Sequence, residues 1–440
     1  MPNVVTITDL DHLGRGLVVL GEEKLTVPGA LIGETVSIRL VDKPGRPRAT
    51  VSGIEHPSPY RISTDCTHAE DCPGCTLRHV GFEASRQLKL DRLRRALTMS
   101  DAPPEIQWLG SAERDGYRTR AIARALITQT GQLRLGMVGY HGTVPLGSCP
   151  VQASQCQTLI NDLEADFRRL GLTHYDPLTR AGQIRHVIVD AYEPMSNAPG
   201  PTQRVVICLG RPVEETWSAD TFLAEHQETA ILVDTLAYRS PGLLRKPIAL
   251  RHGSSVHFEI DGDVIRSSLP AWCPQSPSTL KTLRDTIIEW LAPEAHHRIL
   301  EVGCGSGSNT LAMARRAHTV IALDNCRAAI ADTQANARRA KINNIESRIG
   351  HAEKAIGRIF TKVGGVDLAV CHGMRLPFGE RAMASLSCLE PERIVMIGPS
   401  ANSLSADIKQ LNRYTLTRSG VLDQTPGTSL GLCILLLIRK

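Results

Sequence analysis

Short apolar runs separated by glycines open the chain. Val4-Val5-Thr6-Ile7, Gly16-Leu17-Val18-Val19-Leu20, Thr26-Val27-Pro28-Gly29-Ala30, Thr35-Val36-Ser37-Ile38-Arg39-Leu40 and Ala49-Thr50-Val51-Ser52-Gly53-Ile54 have the length of strands joined by tight turns, which predicts a small closed barrel. Over 86–99 the period changes. Leu88, Leu90, Leu93, Ala96 and Leu97 recur at three-to-four spacing with Lys89, Arg92, Arg94 and Arg95 between them, an amphipathic helix whose basic face is either solvated or laid along a phosphate backbone. Alternation returns between Gly116 and His141, residues 155–171 read as helix, and strands recur near 184–192 and 204–210.

From about Phe258 onward strand and helix alternate. A helix over 277–291 precedes Ile299-Leu300-Glu301-Val302; a glycine turn, a helical pattern and Val320-Ile321-Ala322-Leu323 follow, ending in Asp324. A helix over 328–340 and strands over 366–371, 392–397 and 431–438 complete a mostly parallel sheet, whose ligands sit at the carboxyl ends of the strands. That rule places a site at Gly303, Gly305, Gly307, Ser308 and Asp324, with His351, His372 and the turn 398–400 around it. Glycines let the backbone approach a ligand at a helix N-terminus, and an acid about 20 positions on accepts from ribose hydroxyls. The run Glu301-Val302-Gly303-Cys304-Gly305-Ser306-Gly307 resembles the first motif of S-adenosylmethionine-dependent methyltransferases.

At 440 residues the chain has room for two or three cores without staples. A net charge of +5 permits an RNA partner without requiring one. Aromatic residues make up only 4%, which argues against broad base-stacking platforms. No apolar run reaches membrane-spanning length and no leader pattern opens the sequence, so a cytoplasmic protein is expected; a monomer is expected as well. Of 12 cysteines, Cys66, Cys72 and Cys75 are packed into one decapeptide with Pro73-Gly74 as its turn. In a large reduced protein such density reads as metal binding. The fourth ligand is open among Cys149, Cys156, His68 and His79, and both zinc and an iron–sulfur cluster fit the spacing.

Asp11-His12-Leu13-Gly14-Arg15-Gly16 and Val27-Pro28-Gly29-Ala30-Leu31-Ile32-Gly33-Glu34 resemble a TRAM domain, an RNA-binding barrel of the oligonucleotide-binding type. Lys43, Arg46 and Arg48 lie on a loop placed to touch phosphates, although seven Lys and Arg before Cys66 face eight Asp and Glu. Together with the cysteines, Gly116-Tyr117-Arg118-Thr119-Arg120 and Cys149-Pro150-Val151, the whole chain resembles the bacterial uracil-5 RNA methyltransferases of 23S rRNA and tRNA. The resemblance implies an α/β protein in three parts: a TRAM barrel over 1–60, a central α+β domain over 61–257 and a Rossmann-like class I methyltransferase domain over 258–440. It also implies a [4Fe-4S] cluster on Cys66, Cys72, Cys75 and Cys149, in place of zinc, and S-adenosylmethionine on Gly303, Gly305, Gly307, Ser308, Asp324 and His351. The 86–99 helix is a candidate to pack on the C-terminal domain.

The chemistry departs from the family. Uracil C5 is a poor nucleophile, and the family activates it with a cysteine thiolate that attacks C6, then removes the C5 proton with a base. The cysteine's turn here reads Gly398-Pro399-Ser400-Ala401, with Pro399 at the nucleophile's position. An Asp-Pro-Pro-Arg-like turn has become His372-Gly373-Met374-Arg375, the Gln-Val-Asn-like stretch is Pro274-Gln275-Ser276, and Thr428–Cys433 contains no glutamate. Cys371 is the nearest substitute thiol, but strand alternation turns it away from His372; Cys304, Cys388 and Cys433 read as packing. No catalytic residue is assigned. The readings left are a methyltransferase with a changed target atom, a non-catalytic RNA-binding protein, and a redox-sensing RNA binder.

Overall fold

The computed structural model describes residues 3–41, 48–97, 104–210, 220–234, 247–271, 274–373 and 376–440. Six N-terminal strands, Asn3–Thr6, Asp9–Leu10, Gly16–Leu20, Glu23–Val27, Thr35–Val41 and Arg48–His56, form one sheet. Its two outer strands are Asn3–Thr6 and Asp9–Leu10, consecutive in sequence. Flat, those edges would stand about 24 Å apart at ~4.8 Å per strand. The three residue steps between them span at most about 10 Å, so the sheet curls on itself. Inside it lie Val5, Ile7, Val18, Leu25, Val27, Ala30, Val36, Ile38 and Ala49. The strand expected at Thr26–Ala30 runs earlier, over Glu23–Val27, and Asp9–Leu10 adds a strand too short for a periodic signal. Lys43 and Arg46 lie outside the described residues, and Arg48 opens the last strand.

The central sheet has seven strands in the order Thr143–Pro145, Leu133–Val138, Arg120–Ile127, Ile184–Ala191, Gln203–Leu209, Thr229–Asp234 and Ile248–Arg251. Helix Ser154–Arg169 covers it with Cys156, Leu159, Ile160, Leu163 and Phe167, the stripe its period dictates. Beneath the sheet Arg204 is fully buried; its Nε and Nη2 donate to Asp190 Oδ2 at 3.0 and 2.6 Å, while Arg120 Nη1 donates to Asp190 Oδ1 at 2.9 Å. Arg204 Nη1 also donates to the Ser254 and Ser267 carbonyls, tying in the hairpin Ser255–Ile260/Asp263–Ser268.

On the same sheet His186 is 4% exposed with its Nε2 unpartnered. Burial, aided by Arg124 and Arg185, pushes its pKa down to about 4. Folding therefore keeps the ring neutral while the unfolded chain protonates near pH 6.5. The stability this adds is complete above that pH and is lost as pH falls toward 4, at roughly 1.4 kcal/mol per unit. Urea midpoints at pH 7 and pH 5 are expected to diverge, and His186→Leu is expected to shrink the difference; an unchanged difference would refute the assignment.

The C-terminal sheet has eight strands: Ile345–Ile349, Thr319–Asp324, Arg298–Val302, Leu368–His372, Arg393–Gly398, Leu432–Arg439, Tyr414–Asp423 and Ile106–Ser111. The first five pair in parallel, Leu432–Arg439 runs antiparallel, and Ile106–Ser111 is parallel to Tyr414–Asp423. The chain leaves Arg298–Val302 to one side and returns to its other side, so the topological switch point lies between that strand and Leu368–His372. One face packs Leu300, Val302, Ile321, Cys371, Met396 and Leu435; the other packs Ile287, Trp290, Ile299, Val370, Val395 and Ile434.

Helix Phe82–Leu97 does pack on this domain, against Ala401–Ile408 and Ile106–Ser111; residues 98 and 99 of the expected helix lie outside the described residues. Its basic face is not simply solvated. Lys89 is buried and ion-paired with Asp423, and Arg92 donates to the carbonyls of Ser429 and His12 at 2.9 and 2.6 Å. Burial pushes Lys89 down and Asp423 up against the attraction of the pair. The helical period marked which residues repeat, while the fold decided that a lysine belongs to the inner stripe.

Candidate cofactor site and cysteine cluster

At the switch point strand Arg298–Val302 breaks into a turn with Gly303, Gly305 and Gly307 at φ +79°, +55° and +85°. Those left-handed values suit glycine. A Cβ on Gly303 would stand 2.9 Å from the His372 carbonyl oxygen, and one on Gly307 3.0 Å from the Thr333 side chain, whereas one on Gly305 would meet open space. The turn feeds helix Ser308–Ala314, and the N–H groups of Gly303 and Cys304 donate to the Leu323 carbonyl.

Asp324 ends the neighbouring strand. Its Oδ2 accepts from Gly305 N at 2.9 Å and its Oδ1 from Cys326 N at 2.8 Å. The expected ribose acceptor thus also braces the glycine turn, each oxygen keeping a further lone pair. His351 is exposed at the N-cap of helix Ala352–Val363. The carbonyl of Ser308 accepts from buried Arg284 Nη2 at 2.8 Å. Helix Arg327–Arg339 supports the turn from behind: Thr333 Oγ1 donates to the Gly305 carbonyl at 2.9 Å and Asn336 Nδ2 to the Ser306 carbonyl at 2.8 Å. Sequence reasoning missed Arg284, Thr333 and Asn336, whose spacing is that of ordinary helix positions.

Across the switch point His372 Nε2 lies 3.1 Å from Oε1 of Glu301, which is fully buried and also accepts from Thr310 Oγ1. Cys371 is fully buried among core residues, its thiol pushed up by burial, as strand alternation required. Cys304 and Cys433 are buried, but Cys388 is exposed at the end of helix Glu380–Cys388 and is not packing. Pro399 is exposed, and Ser400 caps helix Ala401–Ile408 by accepting from Ser403 N at 3.2 Å. Gln275 gives its carbonyl to Thr119 N. Arg375 and Cys273 lie outside the described residues.

The cysteines of the decapeptide meet Cys149. Cys75 and Cys149 pack against Ala112, Tyr117 and Val151, and Gly74 N donates to Cys72 Sγ at 3.4 Å. Burial first, then the charge of the Cys149 thiolate, raises Cys72 and Cys75, the latter to about 12; Cys66 adds to the shift of Cys72 and Cys72 to that of Cys75, while burial also raises Cys149, with Cys66 adding to it. Half-buried thiols near one another suit a cationic centre that stabilises their anions. Among the described residues, however, no three Cys, His, Asp or Glu converge closely enough to hold one metal ion. Cys156 is buried in the core beneath its helix, and His79, brought down to about 4 by burial, has its Nε2 unpartnered. Among the described residues no helix is long and apolar enough to cross a membrane.

A family described as a methyltransferase domain matches residues 293–421. An uncharacterized RNA methyltransferase of Nostoc sp. is 26% identical, covering 97% of this chain and 94% of its own. The 23S rRNA (uracil(1939)-C(5))-methyltransferase RlmD of Edwardsiella ictaluri is 26% identical over 97% of this chain and 93% of its own. Among solved structures, the Pyrococcus abyssi tRNA (uracil-54, C5)-methyltransferase in complex with S-adenosyl-L-homocysteine superposes with a TM-score of 0.76 at 17% identity, covering all of both chains. Over nearly its whole length this chain therefore resembles the uracil-C5 RNA methyltransferases and shares their fold.

Proposed function

We propose that the protein is an S-adenosylmethionine-dependent RNA methyltransferase that has left the covalent 5-methyluridine route and transfers its methyl group to an RNA atom with a lone pair of its own. The observation that carries this reading is the turn Gly398-Pro399-Ser400, which offers no thiol, beside a Cys371 sealed in the core. A lone-pair nucleophile needs only to be positioned against the methyl donor. The glycine turn at the switch point, braced by Asp324, Thr333 and Asn336, supports donor binding at Gly303, Gly305, Gly307, Ser308 and Asp324, with His351 beside the adenine. Full-length likeness to proteins named for rRNA and tRNA supports RNA as the partner, and the curled N-terminal sheet supports a TRAM barrel that grips it.

Tritium transfer from labelled S-adenosylmethionine to total RNA tests the reading, and it is expected to label a nucleoside other than 5-methyluridine. RNA containing 5-fluorouridine is expected to form no covalent adduct; a stable adduct would sink the proposal. RNA binding without any transfer would instead establish a non-catalytic binder.

The same reading assigns a [4Fe-4S] cluster to Cys66, Cys72, Cys75 and Cys149. What supports four thiolate ligands is that Cys72, Cys75 and Cys149 lie near enough for their charges to act on one another, with Cys66 acting on Cys72 and Cys149, and iron–sulfur clusters are normally held by four cysteines. When bound, the cluster would knit the decapeptide to the segment carrying Cys149. Cys75→Ser is expected to lower iron and acid-labile sulfide in anaerobically purified protein to under about half, since iron–sulfur clusters are normally held by four cysteines. Unchanged iron content would refute the ligand set.

A further inference from the structure

We propose that His372 and Glu301 form an acid–base dyad in which the His372 Nδ1 lone pair accepts the proton of the RNA group being methylated. This rests on the methyl-transfer reading above and deepens it by naming the target as a protic nucleophile, an N–H or O–H.

The geometry begins with Glu301. It is the penultimate residue of the strand that leads into the glycine turn, its side chain is fully buried, and Thr310 Oγ1 donates to Oε2. The other oxygen, Oε1, faces His372 Nε2 at 3.1 Å. A carboxylate oxygen accepts, so Nε2 carries the hydrogen and, in the neutral imidazole, Nδ1 carries the lone pair. Nδ1 has no hydrogen-bond partner among the described residues, and the side chain is 20% exposed. The residue borders the glycine turn: its carbonyl oxygen stands 2.9 Å from where a Gly303 Cβ would be. A buried carboxylate that fixes the tautomer of an imidazole, leaving its far nitrogen free, is the arrangement that makes histidine a general base.

The step balances. The target nitrogen or oxygen attacks the methyl carbon, the bond from that carbon to sulfur breaks with its electron pair going to sulfur, and the new carbon–nitrogen or carbon–oxygen bond forms. The target's proton passes to His372 Nδ1, and the imidazolium is stabilised by Glu301 until water removes the proton. At carbon C5 of uracil the proton leaves only after covalent activation at C6, and the turn Gly398-Pro399-Ser400 offers no thiol for it. An N–H or O–H needs no such activation.

A purely structural pair stapling two strands together predicts a different pattern from a catalytic one. With the full protein, labelled S-adenosylmethionine and total RNA, His372→Asn is expected to lower kcat by about 100-fold, the range of a general base. KM for the methyl donor and affinity for S-adenosylhomocysteine are expected to stay within about threefold, since the lost group acts on the proton. His372→Ala is expected to regain part of the rate when free imidazole is added, and Glu301→Gln to lower kcat while keeping donor affinity. Nuclease-resistant dinucleotides in the product would identify a ribose hydroxyl as target, and a methylated base nitrogen an N–H. Transfer by His372→Asn at the parent rate, or loss confined to donor affinity with no imidazole rescue, overturns the dyad alone. A parent protein that transfers no label overturns the dyad and the methyltransferase reading together.

Discussion

Gly303→Val is expected to abolish binding of the methyl donor, lowering affinity for S-adenosylhomocysteine by at least about 100-fold, or roughly 2.7 kcal/mol. Two costs combine. A β-branched residue at φ +79° is forced into the left-handed region, which disfavours it by about 1–2 kcal/mol or more. Its Cβ would also meet the His372 carbonyl oxygen at 2.9 Å. That oxygen is backbone at the end of a strand paired on both sides, so the turn must give way, and with it the Gly305 N–H that Asp324 holds. Gly305→Ala separates binding from folding. Its Cβ meets no protein atom, so unfolding should shift by only about 1 kcal/mol for the left-handed backbone, while the methyl group enters the space left to the ligand. Calorimetric titration of both variants checks this. Donor affinity within threefold of the parent for Gly303→Val would place the donor elsewhere.

Asp190→Ala is expected to destabilise the central domain by about 3–5 kcal/mol, because it takes the carboxylate away from a buried guanidinium. Arg204, fully buried, would lose both of its bonds to Oδ2, and Arg120 its bond to Oδ1. Arg120 is 15% exposed and can turn to water; Arg204 cannot. The damage should therefore follow Arg204, and Asp190→Ala combined with Arg204→Met is expected to recover much of the loss, as apolar replacements of buried ion pairs do. Guanidinium midpoints of the two variants decide it. A double variant no more stable than the single would show that the aspartate acts through the backbone rather than through the arginine.

What the sequence made legible follows from what is local. The apolar runs at 299–302 and 320–323, the glycines between them and Asp324 at the strand end were readable because period and turn chemistry act over a few residues. The same logic turned Cys371 away from the crevice. Hidden were partners brought together by the fold. Glu301 read only as part of a motif, and nothing local announced that it would meet His372 some 70 residues on. Thr333 and Asn336 occupy plain helix positions until the helix lies behind the turn. Lys89 sat in a basic series and became core because Asp423 waits there, 334 residues away. Cys388, grouped with buried thiols, is exposed because its helix ends there.

The strand Ile106–Ser111 gives the last consequence. It borders the C-terminal sheet only through Tyr414–Asp423, about 300 residues later in the chain. During synthesis at about 5–20 residues per second, that segment and helix Phe82–Leu97 emerge roughly 15–60 s before their docking surface exists. Until then Leu90, Leu93 and Leu97 have no core to enter. The nascent protein thus carries an uncovered apolar helix and an unpaired strand through most of its own translation, and its yield in the cell should depend on holding chaperones more than its finished stability suggests.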